Sequence, residues 1–177
     1  TMADAIRHLA CLGDLDVFVE QPCETLDELA LIRPKSRQPL MADEVILTPT
    51  DLVRCYTLGA AEAINIKPAR VGGITKAALL RDLAHSLGMK VVIDEPMGGE
   101  IAVAGIAHLS ASTPKKTFLA ASHITGTHID PDAQPWVCGA IALVDGRAHL
   151  PPGDGLGLDI DAGALPEPEI DLSGGAL

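Results

Sequence analysis

AEAINIKPARVGGITKAALLRDL, residues 61–83, carries a strand, a stop and a helix in that order. Ala63-Ile64-Asn65-Ile66 alternates as a strand does. Pro68 cannot donate a ladder hydrogen bond, so the strand ends just past Lys67. Gly72 and Gly73 are expected to form the turn, and an apolar-periodic helix follows that stops at Gly88, a residue suited to a left-handed C-terminal cap. A lysine at that place has two readings. It is a solvated strand end, or it is a group aimed into a site.

Outward from this stretch the same unit recurs. Strand-like runs begin near Val17 (VFVEQP), Pro39 (PLMADE), Ala63 (AINIK), Lys90 (KVVIDEP) and Thr117 (TFLAAS), a recurrence of 22 to 27 residues. Helix signals lie between them. Thr25 with Glu28 has the spacing of a capping box, and Thr48 precedes Pro49 at a first helical position with Asp51 behind it. GEIAVAGIAHLSAS is apolar enough to form a largely buried helix. Strand and helix in alternation require a parallel sheet covered by helices, either a barrel or an open doubly wound sheet. The dinucleotide fingerprint GxGxxG is absent, which weakens one open-sheet option. Each strand ends in groups that do chemistry: Glu20, Asp43 with Glu44, Lys67, Asp94 with Glu95, and Ser122 with His123. In a parallel barrel the C-terminal strand ends form the active-site face, so these residues are expected to make a ring. After His128 the pattern changes. GAIALVDGRAHLPP reads as a hairpin turning at Asp145-Gly146, and a Gly-, Pro- and acid-rich tail follows, its acids expected to be solvated.

Composition excludes several functions. The formal charge of -11 disfavours a phosphate backbone as partner, and one Trp, one Tyr and two Phe leave little for stacking on bases, so nucleic-acid binding is not expected. Apolar runs such as Ile101 to Ala107 are far shorter than a membrane span. The four cysteines, Cys11, Cys23, Cys55 and Cys138, show no CxxC spacing and read as reduced thiols of a cytoplasmic protein. TMADAIRHLACLG looks like the later part of a helix ending near Gly13, which suggests that the chain opens in mid-domain.

Carboxylates at neighbouring strand ends, Glu20 and Asp43, suit a hard divalent cation such as Mg2+, and they equally suit salt bridges to lysine or arginine. Lys67 on the next strand favours the metal reading. Mg2+ can hold a substrate carboxylate and stabilise the enediolate formed when a base removes the alpha proton. Nearby positive charge and burial are expected to depress the lysine's pKa. Glu44, adjacent to Asp43 and facing the other way by alternation, reads as a supporting group or as a partner for Lys67 from beyond the strand end. His123 and His128 lack a local third ligand and are assigned to no metal.

VEQPCETLDEL, MADEV, INIKPARVGGITKA and IDEPMGGEIAVAGIAHLSAS, in this order and spacing, resemble the C-terminal barrel segments of the enolase superfamily, in its muconate lactonizing enzyme subgroup (mandelate racemase/muconate lactonizing enzyme-like). The resemblance covers roughly residues 15–113. It implies an α/β fold, the C-terminal part of a (β/α) TIM-type barrel, with residues 1–131 as partial barrel and 132–177 as a hairpin and tail packing towards an N-terminal capping domain that this chain does not contain. It implies Glu20 and Asp43 as two Mg2+ ligands and Lys67 as the acid/base lysine on the sixth barrel strand. The family's Lys-x-Lys motif and first metal ligand belong to earlier strands, expected on a segment outside this chain and needed to complete the barrel. Asp94, Glu95, Ser122 and His123 would stand where such enzymes differ in substrate. EQPCET and DEPMGG are similar to the branch that epimerises or dehydrates proline derivatives. The implied activity is Mg2+-dependent racemisation, epimerisation or dehydration of a small carboxylate substrate by a homo-oligomer. A muconate-type cycloisomerase, a Schiff-base aldolase using Lys67 and an inactive barrel fragment with a binding role are the alternatives.

Overall fold

The computed structural model describes residues 1–95, 99–122, 136–138, 141–145, 147–150 and 152–165. Five parallel strands form one sheet in the order β1-β2-β3-β4-β5: β1 (Val19–Glu20), β2 (Leu40–Ala42), β3 (Ala63–Ile66), β4 (Lys90–Ile93) and β5 (Phe118–Ala121). Each pairs in parallel with its neighbour in sequence, as the recurring strand and helix unit demands. Helix α1 (Met2–Cys11) precedes β1, and helices α2 (Leu26–Ile32), α3 (Pro49–Leu58), α4 (Pro68–Val71), α5 (Ile74–Ser86) and α6 (Gly99–Ala111) occupy the intervals, α4 and α5 sharing the one between β3 and β4.

Sequence sets the helix ends. Thr25 accepts from the Glu28 N–H while Glu28 accepts from the Thr25 N–H, and Thr48 with Asp51 forms a second such reciprocal pair, with Pro49 at the first helical position. Thr48→Ala is expected to cost about 1 kcal/mol, read as a lower urea midpoint at unchanged slope. One short element departs from the expectation. Pro68 does end β3, but it also starts the single turn α4 before Gly72 and Gly73, because its fixed φ suits a first helical position. Gly72 and Gly73 then take φ of 90° and 112°, which side chains with a Cβ rarely adopt.

Alternation along the strands separates two faces. Leu40, Ala42, Ile64, Ile66, Val91 and Ile93 point to the helices and join Leu29, Ile32, Leu52, Leu80 and Ile106 in the main core. On the other face Met41, Ala63 and Val92 form a small second cluster with Phe18. Phe18 precedes Glu20 by two residues, Met41 precedes Asp43, Ala63 precedes Asn65 and Lys67, and Val92 precedes Asp94. This second face therefore leads directly to the polar strand ends.

Beyond the sheet, β7 (Ala142–Val144) and β8 (Arg147–His149) form the expected antiparallel hairpin, with Asp145 at φ 49° in its turn. β6 (Val137–Cys138) pairs antiparallel with β9 (Asp159–Ile160), which the sequence did not announce. Asp154, Asp159 and Asp161 are exposed, as expected of the tail. Ile141 packs with Val103 and Ala107 of α6, and the carbonyl of Leu156 lies 3.1 Å from His108 Nε2 on the same helix. The proposed boundary at 131/132 falls outside the described residues, among which no helix is long and apolar enough to cross a membrane.

Candidate active site at the strand ends

Lys67 stands where β3 gives way to α4, in extended conformation with φ -109° and ψ 108°. Its Nζ donates to Asp43 Oδ2 at 2.6 Å and lies 3.7 Å from Asp94 Oδ2. Arg70, one turn later on α4, donates through Nη2 to Asp43 Oδ1 at 2.5 Å and to the Asn65 carbonyl at 3.0 Å. Both oxygens of Asp43 are thus held by cations. The Asp43 side chain is only 3% exposed, Lys67 15% and Arg70 19%, so little water screens these contacts. Asn65 continues the network across the second face, donating through Nδ2 to Glu20 Oε1 at 2.8 Å and to Asp94 Oδ2 at 3.5 Å. Ser122 Oγ in turn donates to Asp94 Oδ1.

Glu20, Asp43, Lys67, Asp94 and Ser122 are therefore brought into one connected set across all five strand ends. Glu95 is not part of it, and Glu44 meets it only beside Asp43, where it is among the groups that lower that carboxyl, as a supporting group would. Glu44 is exposed, in the turn that follows β2, and, among the described residues, Lys67 pairs with Asp43 and Asp94 rather than with Glu44. Glu44 instead lines a groove with Gln21, Cys23 and Glu28. Glu95, two residues past the end of β4, is buried and accepts from the Ala69 N–H at 2.8 Å. His123 lies outside the described residues. Sequence reasoning passed over Asn65 and Arg70. The signals for them were present: Asn65 precedes Lys67 by two and shares its strand face, and Arg70 follows by three, one helical turn away. Gln21 was also missed. At the unusual φ of 37°, it holds the Asp43 backbone in place by accepting from its N–H at 2.8 Å.

Burial by itself would raise the Asp43 carboxyl, but the hydrogen bonds from Arg70 and Lys67, the Arg70 charge and the neighbouring Glu44 side chain together outweigh it and hold the group below the ordinary carboxylate range. For Lys67 the expectation of a depressed pKa is corrected. Burial does lower it and Arg70 lowers it further, yet the hydrogen bond and charge of Asp43 dominate in sum, so the ammonium is held above its ordinary value. The signs define a window. Asp43 contributes stability that is lost as pH falls through its depressed folded value, and Lys67 contributes stability that is lost as pH rises through its raised one, so both are fully present near neutrality.

Donor chemistry permits a hard cation here. Glu20 and Asp43 are oxygen donors on adjacent strand ends, Asp43 is kept ionised, and the buried Asn65 Oδ1 has no hydrogen-bond partner among the described residues. By donor type the two carboxylates are suited to a Mg2+ shell. Among the described residues no three His, Cys, Asp or Glu side chains form a complete metal-binding group. The salt-bridge reading of Asp43 is realised as well, by Lys67 and Arg70.

Comparison with known proteins places this geometry. The chain is 38% identical over 168 residues to a cis-3-hydroxy-L-proline dehydratase of Roseibium aggregatum, an alignment covering 95% of this chain and 45% of that protein. It is 33% identical over 97 residues to an L-Ala-D/L-Glu epimerase of Clostridium acetobutylicum, covering 54% of this chain and 27% of the relative. A crystal structure of an enolase superfamily member from Roseovarius nubinhibens, complexed with magnesium, superimposes with a TM-score of 0.83 at 34% identity, over 96% of this chain and 45% of that one. The chain thus spans less than half the length of these proteins and matches the C-terminal barrel part of such enzymes. The family model for the enolase C-terminal domain covers residues 1–164, and with five parallel strands whose polar ends converge on Lys67, the chain belongs to the enolase C-terminal domain-like family.

Proposed function

We propose that this chain carries part of the active site of a Mg2+-dependent enzyme that removes the proton alpha to a substrate carboxylate, and that the substrate is a proline-type amino acid bearing a β-hydroxyl. The observation that carries the reading is the 2.6 Å contact between Lys67 and Asp43 on the sheet face that also bears Glu20. Similarity to a dehydratase of cis-3-hydroxy-L-proline supports the substrate class. Epimerisation is the second reading, favoured by the similarity to an epimerase.

Glu20 and Asp43 would hold the cation, which supplies positive charge to bind the substrate carboxylate and to stabilise the charge that develops as the alpha proton leaves. Lys67 takes that proton onto Nζ. Abstraction needs the neutral amine: burial and the Arg70 charge work towards it, and the Asp43 contact, which here outweighs both and keeps the ammonium, would be relieved where Asp43 commits its charge to the cation. In dehydration the Cα–H bond and the Cβ–O bond break, and the hydroxyl departs as water after gaining a proton. Asp94, bonded to Ser122 and 3.7 Å from Lys67, stands on the substrate side and is suited to reading the ring. Free thiols at the buried Cys23 and Cys55 support a cytoplasmic location.

With the whole protein and cis-3-hydroxy-L-proline, the expected product is lighter by one water, and solvent deuterium at the alpha carbon without water loss is expected instead of an epimerase. EDTA is expected to abolish either activity and added Mg2+ to restore it. Turnover that survives exhaustive chelation would remove the metal from this reading.

A further inference from the structure

Glu95 is a carboxylate that the proposed chemistry leaves unused, and its position is unusual. It is 7% exposed and lies two residues past Ile93, the last residue of β4 and a member of the main core. Burying a carboxylate there is costly unless it is bonded. Its Oε2 accepts from the Ala69 N–H at 2.8 Å.

That N–H belongs to a turn that lacks a cap of its own. The N-cap of α4 is Lys67, whose side chain makes no capping bond, being committed to Asp43. The first N–H groups of any helix have no partner within it. A four-residue helix also has too few internal hydrogen bonds to persist unaided. Glu95 reaches across from the neighbouring strand and supplies the missing acceptor. Next to it, Asp94 N donates to Ile66 O at 3.0 Å, so strand pairing and this tie fix the chain immediately before and after Lys67.

We propose that Glu95 is a positioning residue: by capping α4 from β4 it sets the direction in which Lys67 and Arg70 approach Asp43. The function rests on the reading of Lys67 as the proton-transferring group. The tie itself does not.

Glu95→Leu and Glu95→Gln, made in the whole protein with Mg2+ present, separate these points. Gln retains an acceptor oxygen for Ala69; Leu does not. In Glu95→Leu, amide hydrogen exchange over residues 67–72 is expected to accelerate about tenfold, and kcat on cis-3-hydroxy-L-proline to fall about 10- to 100-fold with KM nearly unchanged, since a small misplacement of a reacting group acts on the chemical step. Glu95→Gln is expected to restore both. Unchanged exchange in folded Glu95→Leu, or an unchanged kcat despite faster exchange, overturns the proposal, as does a Gln variant no better than Leu. A wild-type protein that leaves cis-3-hydroxy-L-proline untouched refutes the substrate reading instead, and the exchange rates still judge Glu95.

Discussion

Lys67→Met is expected to reduce incorporation of solvent deuterium at the substrate alpha carbon by about a thousandfold, the scale of a lost general base. Lys67→Arg is the sharper companion. Arginine keeps a cation beside Asp43, so it preserves the ion pair that the fold uses, but it does not lose its proton in a protein. If Lys67 served only to neutralise Asp43, which it contacts at 2.6 Å, the arginine variant would retain activity. If Lys67 moves the proton, both variants are inactive on cis-3-hydroxy-L-proline, as followed by mass spectrometry of the recovered substrate. Rapid exchange in either folded variant would end the assignment.

Asp43→Asn is expected to act on stability and metal binding together. The amide can accept from Lys67 or Arg70, but it carries no charge to balance two largely buried cations. Breaking a buried pair by removing one partner leaves charge uncompensated, so the metal-free protein is expected to lose about 3 kcal/mol, measured by urea unfolding in EDTA. Mg2+ affinity is expected to fall by about a hundredfold or more, beyond the range typical for residues that only support a ligand. Competition with Mn2+, read from the free-ion resonance, measures it. An unchanged affinity would mean that Asp43 is a structural counter-ion and nothing else. The two effects have separate readouts, so one can fail without the other.

Much of the barrel-like sheet was legible because its signals are local. The alternation at Ala63–Ile66, the stop at Pro68, the capping box at Thr25 and the helix start at Thr48-Pro49 depend only on near neighbours in sequence, and all appear as read. The ring of strand ends was legible as a set, since a parallel sheet must gather its C-terminal ends on one side. Which member of each pair faces inward was harder. At Asp43-Glu44 the chain has already left the strand for a turn, so alternation does not decide the matter, and Glu44 stays beside Asp43; at Asp94-Glu95 only tertiary contacts reveal that Glu95 serves Ala69. The pKa of Lys67 was misread for a related reason. Burial and positive neighbours were inferable from composition and spacing, whereas the closing contact with Asp43 spans 24 residues and outweighs them. The pairing of Val137–Cys138 with Asp159–Ile160 was invisible because two-residue strands carry no periodicity.

The strand order β1-β2-β3-β4-β5 also bears on how the chain reaches this state. Within this sheet every strand pairs with its immediate predecessor, so each closure spans only the one or two helices between them and their loops, and the entropy of closing such loops grows only slowly with their length. Such a sheet can grow by successive addition, with each new strand docking on an edge already formed. In that order the polar network closes in steps: the Lys67–Asp43 contact needs β3 beside β2, and the Glu95–Ala69 contact needs β4 beside β3.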